Sequence, residues 1–237
     1  MNNFDELPEF EGPETLANSV CQYLENAILD GRLEAGTRLI ERDLAEKFKV
    51  SRPPIREAIR QLDTEGLVKI VPRKGAVVAR ISAKDVEEIY GVKILIEGFA
   101  ARETAKKITE GELKRLKSLI DKMALEIKRE DVSRYVKLAE EFHDLINKAA
   151  GNDKLYEIYK RLSKQIICHK INYLSFSRGI KRSFEEHKKI LETLTQRDPD
   201  RVESCIKQHI KYAQGVLTMR IKRIEKEHHA PYSNSRP

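Results

Sequence analysis

The 237-residue sequence predicts a mostly α-helical chain in two parts: an N-terminal domain of three helices with a β-hairpin, then an all-α antiparallel bundle of six or so helices. Three observations predict this. Apolar residues keep helical spacing, uninterrupted by strands, from Ser82 onward. Two β-branched runs, Leu67–Val71 and Ala76–Ile81, flank Pro72-Arg-Lys-Gly75, a Gly-containing loop of hairpin length. Gly (11) and Pro (8) are few and Trp is absent, which argues against a many-turned sandwich or barrel.

Residues 1–13 hold Pro8, Gly12, Pro13 and acids without Lys or Arg, and are expected to form a disordered arm. From Thr15, the spacing of Leu16, Val20, Leu24 and Ile28 predicts a helix that Gly31 stops. Thr37–Ile40 is a possible short strand. Glu41–Phe48 follows as one short helix, and Lys49-Val50 makes a turn. Ser51 suits an N-cap, and Pro53 and Pro54 lie in the first turn, where a missing N–H costs little. That helix runs to Glu65 and ends at Gly66. Ile55, Ala58, Ile59 and Leu62 make its apolar face, and Arg52, Arg56 and Arg60 form a stripe beside it. Six further helices are expected near 83–107, 110–129, 131–149, 153–174, 182–196 and 199–226. Ser82-Ala-Lys-Asp85, capping boxes at Thr109–Glu112 and Ser183–Glu186, and Asp198-Pro199 mark four starts. The boundaries so read are 14–81 for the first domain and 82–226 for the second, with 227–237 as a flexible tail.

The net charge of +7 is unevenly spread. Residues 47–80 carry nine Lys/Arg against Glu57, Asp63 and Glu65, a concentration that suits a polyanionic partner. No apolar run approaches the ~18 residues of a membrane span. The acidic start, Met1 to Glu11, does not resemble a secretory signal. Cys21, Cys168 and Cys205 are sparse and odd in number, which fits reduced thiols and a cytoplasmic location.

Short helix, tight turn, capped second helix and basic hairpin make a winged helix-turn-helix. In that arrangement the second helix enters the major groove and its N-terminal residues reach base edges. An Arg there can donate two hydrogen bonds to guanine O6 and N7. A Ser hydroxyl and helix N–H groups suit phosphate oxygens. The hairpin tip places Arg73 and Lys74 where backbone or minor groove would lie. Residues 14–80 resemble the DNA-binding domain of GntR-type bacterial transcription regulators, most specifically over Leu39-Ile-Glu-Arg-Asp-Leu-Ala-Glu-Lys-Phe-Lys-Val-Ser-Arg-Pro-Pro-Ile-Arg-Glu-Ala-Ile-Arg-Gln-Leu-Asp-Thr-Glu-Gly-Leu67. The resemblance implies DNA contact by Arg42, Ser51, Arg52, Pro53 and Arg56, with Gly75 in the wing tip. It puts guanine reading on Arg52 and Arg56.

In the remainder, His143, His187 and His209 fall on three different predicted helices, each among apolar residues at helical spacing. Each could face the bundle interior, and three converging imidazoles suit a divalent ion of Zn²⁺, Ni²⁺ or Mn²⁺ type. The stretches Ile89–Ala101, Glu141–Leu145, Ala149–Asn152, Glu185–Ile190 and Cys205–His209 resemble the FadR-type effector domain, called FCD, of the same family. That resemblance implies metal binding by these three histidines. It also implies a usual acidic ligand four residues before the first His, where this sequence has Ala139; Glu140 or Glu141 is near, and Glu140 is better aimed as a fourth ligand. The family's effector-carboxylate Arg corresponds to Lys93. Together these imply a DNA-binding regulator, not an enzyme. It would act as a homodimer on a palindromic operator, probing a small carboxylate effector around a metal. Two other readings of the histidines stay open here: a metal-dependent hydrolase, and a metal-free ligand sensor. The hydrolase lacks a convincing general base.

Overall fold

A computed structural model describes residues 15–71, 75–173 and 178–229. The chain divides into two compact units, residues up to 80 together with 163–172, and residues 81–162 together with those from 173 onward. The expected arm at 1–13 lies outside the described residues, as do Arg73 and Lys74 of the wing tip.

In the first unit, α1 (Leu16–Leu29) is capped by Thr15, whose side chain accepts from the Asn18 N–H. It is followed by β1 (Arg38–Leu39), α2 (Glu41–Lys47), α3 (Arg52–Glu65), β2 (Val68–Val71) and β3 (Gly75–Val78). The hairpin register pairs Val68 with Val78 and Val71 with Gly75. The short strand at Arg38–Leu39 joins as the other neighbour of β3, so the sheet order is β1-β3-β2. The core between helices and sheet collects Leu24, Ile28, Leu39, Leu44, Ile55, Ile59, Leu62 and Val78. Lys49, between α2 and α3, has φ 54°, and Gly66 ends α3 at φ 78°.

The second unit is helical throughout the described residues. Its elements are α4 (Ala83–Lys107), α5 (Glu110–Arg129), α6 (Val132–Ala149), α7 (Asp153–Tyr173), α8 (Arg178–Thr195) and α9 (Pro199–His229); the last turns of α7 belong to the first unit. Two capping boxes form as expected. Ser82 accepts from the Asp85 N–H, and Thr109 from the Glu112 N–H, with each acid reaching back to the cap backbone. The third does not. The helix containing Ser183 has already begun at Arg178, so Ser183–Glu186 is interior and its polar groups serve tertiary contacts instead. α9 extends to His229, past the expected end at 226. α4 runs antiparallel along α9: Glu87 pairs with Lys222 near one end, and Arg102 with Asp200 and Glu203 near the other. A neighbouring face of α4 buries Val86, Tyr90, Lys93, Glu97 and Thr104 toward the bundle interior. No helix among the described residues is long and apolar enough to cross a membrane.

Candidate nucleic-acid interface and candidate metal centre

The exposed side of α3 follows from its sequence. Ile55, Ala58, Ile59 and Leu62 are drawn into the core, which leaves Arg52, Pro53, Arg56 and Arg60 exposed on the other side. Ser51 occupies the N-cap position, but its side chain makes no capping bond, so the helix N-terminus keeps backbone donors for an anion. Arg42 projects from α2 with its side chain 72% exposed and its Nε 3.2 Å from Asp43 Oδ1. Arg56 is held by Glu41: Nε lies 3.1 Å from both carboxylate oxygens, and Nη2 donates to Oε2 at 2.8 Å. Gly75 opens β3 at φ 83°, a conformation that glycine adopts at little cost. Arg42, Ser51, Arg52, Pro53, Arg56 and Gly75 are thus on one unit.

In the second unit, helical periodicity turns His143 of α6, His187 of α8 and His209 of α9 inward. All three are at least 94% buried. One ligand atom of each lies within 4.8 Å of the others. The His143 and His209 rings are stacked at 5.2 Å, and His187 stands edge-on to His209 at 4.4 Å. Each Nδ1 has a neighbouring oxygen. His209 Nδ1 is 2.9 Å from Glu186 Oε2, and His187 Nδ1 is 2.7 Å from the Ser183 carbonyl oxygen. His143 Nδ1 lies 2.9 Å from Glu97 Oε2, close enough for charge pairing but poorly aligned for a hydrogen bond. Nε2 of His187 is buried and makes no hydrogen bond among the described residues.

Behind these rings stands a buried polar row. Lys93 Nζ is 2.9 Å from Glu97 Oε1, with the two side chains only 4% and 2% exposed. The ammonium also sits 4.7 Å over the Tyr159 ring. Asn147 donates to the His143 carbonyl oxygen at 2.8 Å. Burial opposes ionisation of Glu97, but the Lys93 ammonium and then His143 outweigh it and hold the carboxyl below the usual range. Glu186 behaves similarly. Burial again opposes ionisation, and the bonds to His209 and Arg182 keep its carboxyl low. Glu140 is half-buried and is not among the converging ligand groups. The carboxylates beside the histidines are Glu97 and Glu186. Glu97 was readable as an i+4 partner of Lys93. Glu186 was masked by its match to a capping box, and Glu41 had no local signal.

The FCD domain family matches residues 88–212, and the gntR family of bacterial regulatory proteins matches residues 16–78. YdhC of Bacillus subtilis (strain 168), an HTH-type transcriptional regulator, is 31% identical over 190 residues, 79% of this chain and 82% of its own. The gluconate operon transcriptional repressor of the same organism is 31% identical over 173 residues, 73% of this chain and 70% of its own. The solved structure of Escherichia coli McbR/YncC matches with a TM-score of 0.75 at 20% identity. It covers 87% of this chain and 98% of its own, a likeness of fold. With a winged helix-turn-helix ahead of an FCD bundle, the chain belongs to the GntR family of DNA-binding transcription regulators and is not an enzyme.

Proposed function

We propose that this regulator is a homodimeric repressor of a palindromic operator, working in the cytoplasm, whose bundle binds a divalent metal and a small carboxylate effector. The observation that carries the metal is the convergence of three buried imidazoles from three helices, each with an oxygen already beside Nδ1. An oxygen beside each Nδ1 favours ligation through Nε2, the arrangement in which an outer acceptor fixes the ring and its tautomer. The donor set fits: three neutral nitrogens suit Zn²⁺, Ni²⁺ or Mn²⁺, and one ligand atom of each histidine lies within 4.8 Å of the others. When bound, the ion supplies positive charge and open coordination positions for an acid.

Around it, this chain's own residues orient and desolvate. Glu97 and Glu186 hold His143 and His209, and Phe142 packs edge-on against His187 at 5.2 Å. An effector carboxylate reaching Lys93 would have to share the ammonium with Glu97. Glu140 remains the proposed fourth protein ligand. The relative named for the gluconate operon supports a sugar acid as the first class to test. On the DNA side, Arg52 and Arg56 read guanine, Arg42, Ser51 and Pro53 position the helix, and Arg73, Lys74 and Gly75 bring the wing to the backbone.

Effector control requires that the acid bind the operator-competent and incompetent states unequally. The test is a calorimetric titration of chelator-stripped protein with Zn²⁺, Ni²⁺ and Mn²⁺, followed by operator binding with and without sugar acids. The reading expects at least one ion to bind at or below micromolar concentration and an acid to shift operator affinity only in the loaded protein. A stripped protein that takes up none of the three ions overturns it.

A further inference from the structure

Glu41 stands where an acid is least expected, among the arginines of the recognition surface. It opens α2, fifteen residues before Arg56, and grips that guanidinium along one edge through Nε and Nη2. The hydrogen bond to Arg56 is the main influence on the Glu41 carboxyl. It lowers the pKa against a smaller opposing effect of burial, and the charges of Arg56, Arg52 and Arg60 add to the lowering. Glu41 is therefore a carboxylate at neutral pH.

A guanidinium has five N–H donors in a fixed fork. Glu41 engages the Nε edge, which leaves the opposite edge, Nη1 with the second Nη2 hydrogen, directed away from the acid. Two donors on one edge are what guanine O6 and N7 require. The same Arg56 can thus be held by Glu41 and read a base at once. Two consequences follow from the charge. Holding the guanidinium before DNA arrives reduces the side-chain freedom lost on binding. The adjacent carboxylate also cancels the attraction of Arg56 for phosphates, which is the sequence-independent part of DNA affinity.

We propose that Glu41 is a specificity-determining residue of DNA binding, a buttress that aims Arg56 at a base edge and withholds it from the phosphate backbone. The proposal rests on the reading that Arg56 contacts bases, and the experiment separates the two.

An operator duplex is first selected by the full-length parent from a random pool. Dissociation constants are then measured on that duplex and on a random-sequence duplex over a salt series, for the parent, Glu41→Gln, Arg56→Ala and the double variant. Glu41→Gln keeps the side-chain shape while removing its charge, and an unchanged unfolding midpoint confirms the fold. It is expected to bind random DNA several-fold more tightly and to steepen the salt dependence by about 0.9 in log–log slope, one added phosphate contact. It is also expected to lower the operator-to-random ratio by roughly tenfold, within what one bidentate Arg–guanine pair discriminates. Adding Glu41→Gln to Arg56→Ala should change the ratio no further. If Glu41→Gln matches the parent in ratio and slope while Arg56→Ala loses discrimination, the buttress is wrong and base reading by Arg56 stands. If Arg56→Ala discriminates like the parent, Arg56 is not a base reader and the buttress falls with it.

Discussion

At Lys93 an ammonium has been taken out of water and set against the Glu97 carboxylate and the face of the Tyr159 ring. Removing one partner of such a pair leaves a buried charge without compensation, at roughly 3–5 kcal/mol, whereas replacing both by apolar groups is often nearly neutral. Lys93→Met is therefore expected to destabilise the protein by that amount, and Lys93→Met/Glu97→Met to regain the larger part in denaturant unfolding. A double variant no more stable than the single one would show that the pair is not energetically coupled. The sequence singled out Lys93 only through the family resemblance, as the counterpart of the effector-carboxylate Arg. Its burial against Glu97 depends on tertiary packing, and so does the assembly of the three histidines, whose spacing says only that each faces inward. Ala139 lies four residues before His143 and is half-buried. Ala139→Asp would put a hard oxygen and a negative charge one turn from that ring, so it should tighten Mn²⁺ binding more than Zn²⁺ binding in calorimetry. If Glu140 already supplies that oxygen, the gain vanishes and Glu140→Gln weakens binding instead.

At the scale of elements, local chemistry was most legible where nothing distant competes with it. Ser82 with Asp85 and Thr109 with Glu112 close capping boxes within four residues, and α4 and α5 start where those patterns place them. Ser183–Glu186 carries the same pattern but lies inside α8. Tyr135 donates to the Ser183 hydroxyl at 3.1 Å, and His209 claims Glu186. A helix that has begun upstream turns a start signal into a set of side-chain partners. The turn between α2 and α3 contains the opposite case, a residue its backbone does not favour. Lys49 is held at φ 54°, where an L side chain crowds the following carbonyl at about 1–2 kcal/mol. Glycine removes that crowding but has more unfolded-state freedom to lose. Lys49→Gly is accordingly expected to stabilise the first unit by up to about 1 kcal/mol, and Lys49→Val to destabilise it. Thermal unfolding of the two variants checks the sign; a glycine variant less stable than the parent would mean that contacts of the lysine outweigh its backbone cost.

At the scale of the whole molecule, a palindromic operator asks for a two-fold protein, and α4 offers a surface that can meet its own copy. Val92, Leu95 and Phe99 lie on its outer side, 45%, 66% and 47% exposed, at the i, i+3, i+7 spacing of an apolar stripe. Two such helices crossing antiparallel about Leu95 would set Gly91 opposite the partner's Phe99 and Glu88 opposite the partner's Arg102. A side chain at Gly91 would meet nothing within 4 Å, so the position is an open notch for an aromatic ring. Glu88 and Arg102 are oppositely charged, although Arg102 also serves Asp200 and Glu203 within its own chain. These matches are self-complementary, as an isologous interface requires, so this stripe is the face on which the proposed homodimer is tested. Leu95→Glu would place two carboxylates together at the two-fold axis. It is expected to convert a dimer into monomers in sedimentation analysis, with operator affinity falling because each half-site must then be bound separately. The substituted residue is exposed, so the monomer should stay folded, with an unfolding midpoint close to the parent's. A Leu95→Glu protein that sediments as a dimer at the parent's concentration dependence would move the interface away from this face of α4.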